Sequence, residues 1–108
     1  MQNEIKLPLP PVQEDLLRVV SSTTNISATD LLDKINTSRK RHGVPILKVG
    51  SFYPTLHKIR GYGLIVLDNE RNADKQRNKY YKVTEVGNRA IALMNDYRAE
   101  LISHQPKP

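Results

Sequence analysis

The sequence predicts an α+β domain that is mainly helical, and three observations predict it. Apolar residues recur at helical spacing in four separate segments. Two short apolar runs, residues 64–67 and 79–84, flank a polar basic loop. Glycines 43, 61 and 63 fall where a helix has to stop. Helix, turn, strand, charged loop and strand, in that order over residues 51–84, describe the second half of a winged helix-turn-helix with a two-stranded wing. A C-terminal helix follows. Such an arrangement presents a helix and a basic hairpin on one side of a small domain.

Each element has its own reason. Residues 1–10 read as an extended arm, because Pro8, Pro10 and Pro11 forbid an interior helix there. Ile5, Leu7 and Leu9 alternate, which suits an arm lying on an apolar surface. Pro11 suits a first helical turn, Glu14 and Asp15 sit near the positive end of the helix dipole, and Val12, Leu16, Val19 and Val20 form the apolar stripe. Residues 21–25 are a polar break. Ser27 with Asp30 resembles a capping box with Asp in place of Glu, and it opens a second helix whose core contacts are Leu31, Leu32 and Ile35. That helix is expected to fade through residues 36–38 into the basic run Arg39, Lys40 and Arg41, with Gly43, Val44 and Pro45 ending it. Residues 46–49 read either as a short strand or as an apolar connector.

Phe52, Leu56 and Ile59 stand at i, i+4 and i+7 of the third helix and face the core. Ser51 as N-cap would keep Pro54 in the first turn, where its missing N–H costs nothing. Residues 64–67 read as a buried strand, and Tyr81 and Val83 share one face of the returning strand. Thr84 can cap the last helix, on which Ala90, Ile91, Met94, Tyr97 and Leu101 make a long apolar stripe. The reading therefore divides the chain into an arm (1–10), a winged-helix DNA-binding domain (11–84), a C-terminal dimerisation helix (85–104) and a frayed tail (105–108). Ile91 suffices to close the winged core, so Met94, Tyr97 and Leu101 are expected at a dimer interface.

The formal net charge is +6, and its distribution says more than its sum. Residues 34–82 hold twelve Lys and Arg against three acids, Asp68, Glu70 and Asp74, while the remainder is slightly acidic. A basic middle between near-neutral ends suggests a polyanion-binding face. The absence of cysteine excludes disulfides and thiolate metal sites. His42, His57 and His104 are isolated, no nucleophile-elbow motif occurs, and residues 61–63 form a turn, not a phosphate loop. No metal, cofactor or enzymatic activity is expected. No apolar run reaches the length of a membrane span and no signal-peptide core is present, so a cytoplasmic location is expected.

Gly50, Ser51, Phe52, Tyr53, Pro54, Thr55 and Leu56, with Gly63, Leu64 and Ile65 closing the helix, resemble the recognition-helix motif of the PadR-like transcriptional regulators. Residues 77–87, Arg-Asn-Lys-Tyr-Tyr-Lys-Val-Thr-Glu-Val-Gly, resemble their wing strand and the start of their last helix. The likeness is specific over residues 50–87 and holds only as a pattern over the first two helices. It implies a dimeric winged-helix repressor, with the last helix and N-terminal region in the dimer contact. Arg60 stands where the family often has an acid, and the basic run 39–41 lies outside its motif. Drug-binding members use tryptophan at the dimer pore, and this chain has none.

On this reading Ser51, Tyr53, Pro54, Thr55 and Lys58 of the third helix face the major groove of double-stranded DNA. Hydroxyls bond phosphate oxygens, and Lys58 reaches a guanine edge or a phosphate. Thr55 lies near the apolar face, and Tyr53 has the alternative of packing on the second helix. In the wing, Arg71, Lys75, Arg77 and Lys79 are the candidates for phosphate or minor-groove contact. A homodimer would set two recognition helices about one DNA turn apart, favouring a pseudo-palindromic operator. The same basic face also suits an acidic protein partner or structured RNA, since winged helices host all three roles.

Overall fold

The computed structural model describes residues 5–68 and 79–103. Its elements run α1 (Pro11–Ser21), β1 (Ile26–Ser27), α2 (Ala28–Arg41), α3 (Val49–Gly61), β2 (Ile65–Leu67), β3 (Tyr80–Val83) and α4 (Glu85–Ile102). The strands make one antiparallel sheet of order β1-β3-β2. This is a winged helix: three helices, a β2–β3 hairpin and a fourth helix.

α1 is the central element, packing on α2, α3, β3 and α4. Pro11 opens it at the first helical position, where its fixed φ is already helical. Leu16, Leu17 and Val20 are fully excluded from solvent, whereas Val12 and Val19 are only half-buried. The expected single stripe omitted Leu17. A helix surrounded on several sides buries more than one stripe, and one-face periodicity cannot show that. The polar break after α1 closes its end. The hydroxyls of Ser21, Ser22 and Thr23 donate to the carbonyls of Arg18, Val19 and Val20, which also accept the Ser22 and Thr23 backbone N–H groups.

β1 was not expected. Its two residues pair with β3 in the register Ile26 to Tyr81 and Ser27 to Tyr80, so the two-stranded wing gains a third strand. Two residues are too few to carry a period, so only the partner reveals the strand. Ser27 then caps α2, its hydroxyl accepting from the Asp30 N–H at 3.1 Å.

α2 does not fade at residues 36–38 but runs to Arg41. Gly43, at φ 70°, stops it: the Val44 N–H bonds the Arg39 carbonyl and the Gly43 N–H bonds that of Lys40, a Schellman closure. Asn36 serves the connector instead of ending the helix. Its amide donates to the Leu47 carbonyl at 3.0 Å and accepts from the Leu47 N–H at 2.7 Å. Residues 46–48 are therefore a connector pinned at buried Leu47, not a strand.

α3 starts at Val49 with Lys48 as N-cap, so the expected cap at Ser51 is corrected. The Lys48 carbonyl accepts from both Ser51 and Phe52. Pro54 consequently sits inside the helix, where it removes the bond to the Gly50 carbonyl. Gly50 is exposed, so water can satisfy that carbonyl and the loss is tolerated. Gly63, at φ 78°, ends α3 as Gly43 ends α2, with Leu64 N–H on the Ile59 carbonyl and Gly63 N–H on that of Arg60. Residues 65–67 alternate instead of being buried throughout: Ile65 is covered and Val66 is exposed, because only one face of the sheet meets the helices.

Thr84 joins the hairpin to α4. Its hydroxyl accepts from the Gly87 N–H at 3.0 Å, and the Thr84 N–H donates to the Leu64 carbonyl at 3.1 Å. The first turn of α4 thus lies on the α3–β2 turn. A Cβ on Gly87 would stand 2.2 Å from the Leu64 carbonyl oxygen and 2.8 Å from a Val83 methyl. Further along α4, Ala90 and Met94 enter the core while Ile91 is half-buried. Met94 was expected at a dimer contact. At 1% exposure it belongs to the protomer's own core, since the packing of α4 on the rest of the fold extends one turn past Ala90.

One ionic group of α1 is buried against α4. Glu14, 5% exposed, accepts hydrogen bonds from Nη1 and Nη2 of Arg98 on α4, with the Arg98 Nη2 to Oε1 bond at 2.6 Å. It also accepts from Arg18 Nε at 2.7 Å, and Arg18 Nη2 reaches Asn95 Oδ1 at 2.9 Å. The hydrogen bonds from Arg98 hold the Glu14 carboxyl below its ordinary value of 4.5, against the opposing effect of burial.

Gly87→Ala should destabilise the fold by about 1–3 kcal/mol or more in urea unfolding, because backbone must move to admit the methyl group. Gly50→Ala, with nothing within 4 Å of its Cβ, should change stability by less than about 1 kcal/mol. Glu14 has a folded pKa below its unfolded one, so its contribution is complete above the unfolded value and is lost as pH falls through the folded value. Urea midpoints measured from about pH 2 to 7 should show that acid limb flattened in Glu14→Gln, together with lower stability at neutral pH.

Candidate nucleic-acid interface

The buried face of α3 consists of Phe52, Leu56 and Ile59, as the spacing requires. What remains outward is the candidate face. Ser51, Tyr53, Pro54 and Lys58 are exposed and Thr55 is half-buried. Ser51, Thr55 and Lys58, spaced i, i+4 and i+7, lie along one side of the helix.

Two of these side chains have other engagements. The Thr55 hydroxyl donates to the Ser51 carbonyl at 2.8 Å, so its proton is directed into the helix. Phosphate oxygens are acceptors, and in this rotamer Thr55 has nothing to donate to them. Tyr53 stands edge-on to Phe52, ring centroids 4.9 Å apart, and borders a groove shared with Leu32, Asp33 and Asn36 of α2. Tyr53 thus borders α2 while staying 40% exposed.

Lys58 brings in a residue that the sequence reading did not include. It lines a recess together with Lys6, Pro8, Leu9 and Pro10 of the arm, Gln13 of α1 and Tyr62. Leu9 is buried and anchors the arm, which carries a second ammonium, Lys6, to the edge of the α3 face. The signal in sequence was a lysine inside an arm with an apolar anchor three residues on.

In the hairpin, Lys79 and Lys82 are exposed. The Lys79 carbonyl accepts from the Ala28 N–H at 3.2 Å, which ties the base of the returning strand to the start of α2. Arg71, Lys75 and Arg77 lie outside the described residues. Beneath the hairpin the Tyr81 phenol is pushed up from its ordinary value by burial, against the opposing charge of Arg60. Asp68 is buried and accepts from Asn25 Nδ2 at 3.0 Å, so one of the three acids in the basic stretch is drawn inward.

The basic run after α2 is not uniform. Arg39 donates to the Pro45 carbonyl at 2.8 Å and approaches Asp15 at 3.7 Å, which makes it a brace for the connector. Lys40 and Arg41 are exposed. Among the described residues no group of His, Cys, Asp and Glu is arranged to hold a metal, and no helix is long and apolar enough to cross a membrane.

The fold agrees with comparisons to known proteins. The model of the transcriptional regulator PadR-like family matches residues 17–93. No curated protein matches the chain. The solved structure of H. salinarum RosR superposes with a TM-score of 0.72 at 16% identity, over 92% of this chain and 82% of that one. Bacillus subtilis PadR, solved in complex with operator DNA, superposes with a TM-score of 0.60 at 22% identity, over 92% of this chain and 51% of that one. This chain therefore spans about half the length of that protein. At these identities the two structures establish the fold, and the family match carries the assignment. The matched segment runs from α1 into α4 through every element between, and the chain belongs to the PadR-like family of DNA-binding transcriptional regulators, which are not enzymes.

Proposed function

We propose that this protein is a dimeric repressor that occludes a pseudo-palindromic operator. α3 enters the major groove, while the basic wing lies on the flanking backbone or minor groove. The observation that carries this reading is the shared exposure of Ser51, Pro54 and Lys58 on α3 with Lys79 and Lys82 on the hairpin. Lys6 adds a further positive charge on the recess that Lys58 also lines. In this reading Ser51 and Tyr53 donate to phosphates, Thr55 supports the helix, and Lys58 meets a base edge or a phosphate. Arg71, Lys75 and Arg77 supply further phosphate contacts. The operator seen with Bacillus subtilis PadR supports duplex DNA as the partner.

Residues 11–84 act as the reading head, preceded by the arm at 1–10. α4, within the segment 85–104, supplies the dimer contact. Leu93, Tyr97 and Leu101, exposed by 53%, 49% and 61%, are spaced every four residues along one face of α4. An apolar face of that length suits a symmetry-related copy of itself. Met94 supports the face from below and does not itself meet the partner.

Selection from randomised duplex DNA, followed by a salt titration, tests the proposal. Enrichment of an inverted repeat with steep salt dependence is the expected result. Salt-sensitive binding without an enriched sequence would instead favour an architectural or RNA-directed role, and no binding at low salt an acidic protein partner. On the enriched duplex, Lys58→Ala should cost about 1–3 kcal/mol of binding, with relaxed specificity at one position if Lys58 reads a base. Lys79→Ala should weaken binding to every sequence and reduce the slope of log K against log salt by about one.

A further inference from the structure

We infer that the Glu14–Arg18 pair of α1, gripping Asn95 and Arg98 of α4, is a positioning device that sets the spacing between the two DNA half-sites. The inference rests on the dimeric reading above and concerns how each reading head is held relative to the dimer axis.

Three observations carry it. First, the grip is two-by-two and joins residues distant in sequence. Glu14 and Arg18 are one turn apart on α1, and Asn95 and Arg98 are one turn apart on α4. Both oxygens of Glu14 bond Arg98, and Arg18 spans from Glu14 to Asn95. A carboxylate met by a planar fork at both oxygens fixes direction as well as distance, which a single ammonium contact does not.

Second, the grip lies where apolar packing on α4 ends. Ala90 and Met94 are buried in the core, and beyond Met94 every described residue of α4 is exposed. The outer half of the helix rises about 1.5 Å per residue, so Leu101 lies about 10 Å beyond Met94. Among the described residues, Arg98–Glu14 is the one ion pair that joins this outer half to the rest of the fold.

Third, the same outer half carries Tyr97 and Leu101 of the face assigned to the partner copy. The angle at which α4 leaves α1 is therefore the angle at which each α3 stands to the dimer axis, since α1 also packs on α3. Two recognition helices one turn of DNA apart lie about 17 Å from the axis each. With a lever arm comparable to that distance, a swing of roughly 10° at the α1–α4 junction moves each by about 3 Å, close to the 3.4 Å step between neighbouring bases. Holding this angle within a few degrees is thus what separates one half-site spacing from the next.

The test uses the full chain and a panel of duplexes carrying the enriched inverted repeat, with its centre lengthened or shortened by one and two base pairs. Arg98→Ala is the first variant, because Arg98 is half-exposed and its loss leaves Glu14 paired with Arg18. Wild-type affinity should fall at least about tenfold for a one-pair change of spacing, and Arg98→Ala should bring that ratio to within about threefold. Affinity for a single half-site and the sedimentation mass should stay at their wild-type values. Arg98→Lys, which keeps the charge and loses the fork, should give an intermediate profile. Glu14→Gln provides an independent variant with the same expected loss of spacing preference.

A folded, dimeric Arg98→Ala protein that keeps the wild-type spacing profile overturns the inference and leaves the dimeric reading intact. An equal loss of affinity at every spacing and at the single half-site also overturns it, since the residue then supports the reading head itself. A wild-type protein that is monomeric, or indifferent to spacing, overturns the dimeric reading and the inference with it.

Discussion

The carbonyl of Leu64 sits where three parts of the chain meet, and the geometry of the candidate face depends on that meeting. α3 ends at this point through Gly63, β2 departs from it, and the backbone of Thr84 returns to it before α4 begins. The carbonyl accepts the Thr84 N–H, and the first turn of α4 closes down until only a glycine fits at position 87. Were this junction looser, α3, the hairpin and α4 would each still form, but the angles between α3 and the hairpin would be undefined. A winged helix meets a double helix with two elements at once, so those angles decide whether helix and wing engage the same duplex.

Around this junction the core is almost wholly apolar, with Leu16, Leu17, Val20, Leu31, Phe52, Leu56, Ile59, Leu64 and Ile65 excluded from water. Burial of each such side chain contributes about 1.5–3 kcal/mol, and these contributions hold α1 in the middle of the domain. Glu14 is the exception on the same helix. An isolated carboxylate would cost several kcal/mol to bury, and two guanidinium groups offset that cost without making the site better than an apolar one. Stability alone does not call for an ionic group there. Direction does: bidentate bonds hold α4 at one angle, which a slippery apolar contact would not.

The candidate face was largely legible. Phe52, Leu56 and Ile59 had to be inside, so Ser51, Pro54 and Lys58 had to be outside, and the helical period is enough to say so. Both helix stops were legible as well, since glycine at 43 and 63 is the residue type that tolerates positive φ. Less visible was the start of α3. Placing Ser51 at the cap satisfied the local preference of Pro54, but the connector pinned by Asn36 and Leu47 delivers the chain in helical register three residues earlier. Arg39 shows the same limit. In sequence it is one of three neighbouring bases, and only the fold brings the Pro45 carbonyl and Asp15 to it.

What the sequence by itself determined was the order of the elements, their punctuation, the inward face of α3 and the basic character of the middle of the chain. These follow from period, capping and charge, all readable within a few neighbouring residues. Tertiary structure alone decided that β1 adds to the hairpin, that Leu17 and Met94 are core, that Lys6 and Lys58 line one recess, and that Glu14 meets Arg98. Each of these depends on which surface another element presents, and residues up to 84 positions apart in the chain carry no local signal of their meeting. The physical reason is that burial and pairing are properties of the packed arrangement, while periodicity reports only that some face must be covered.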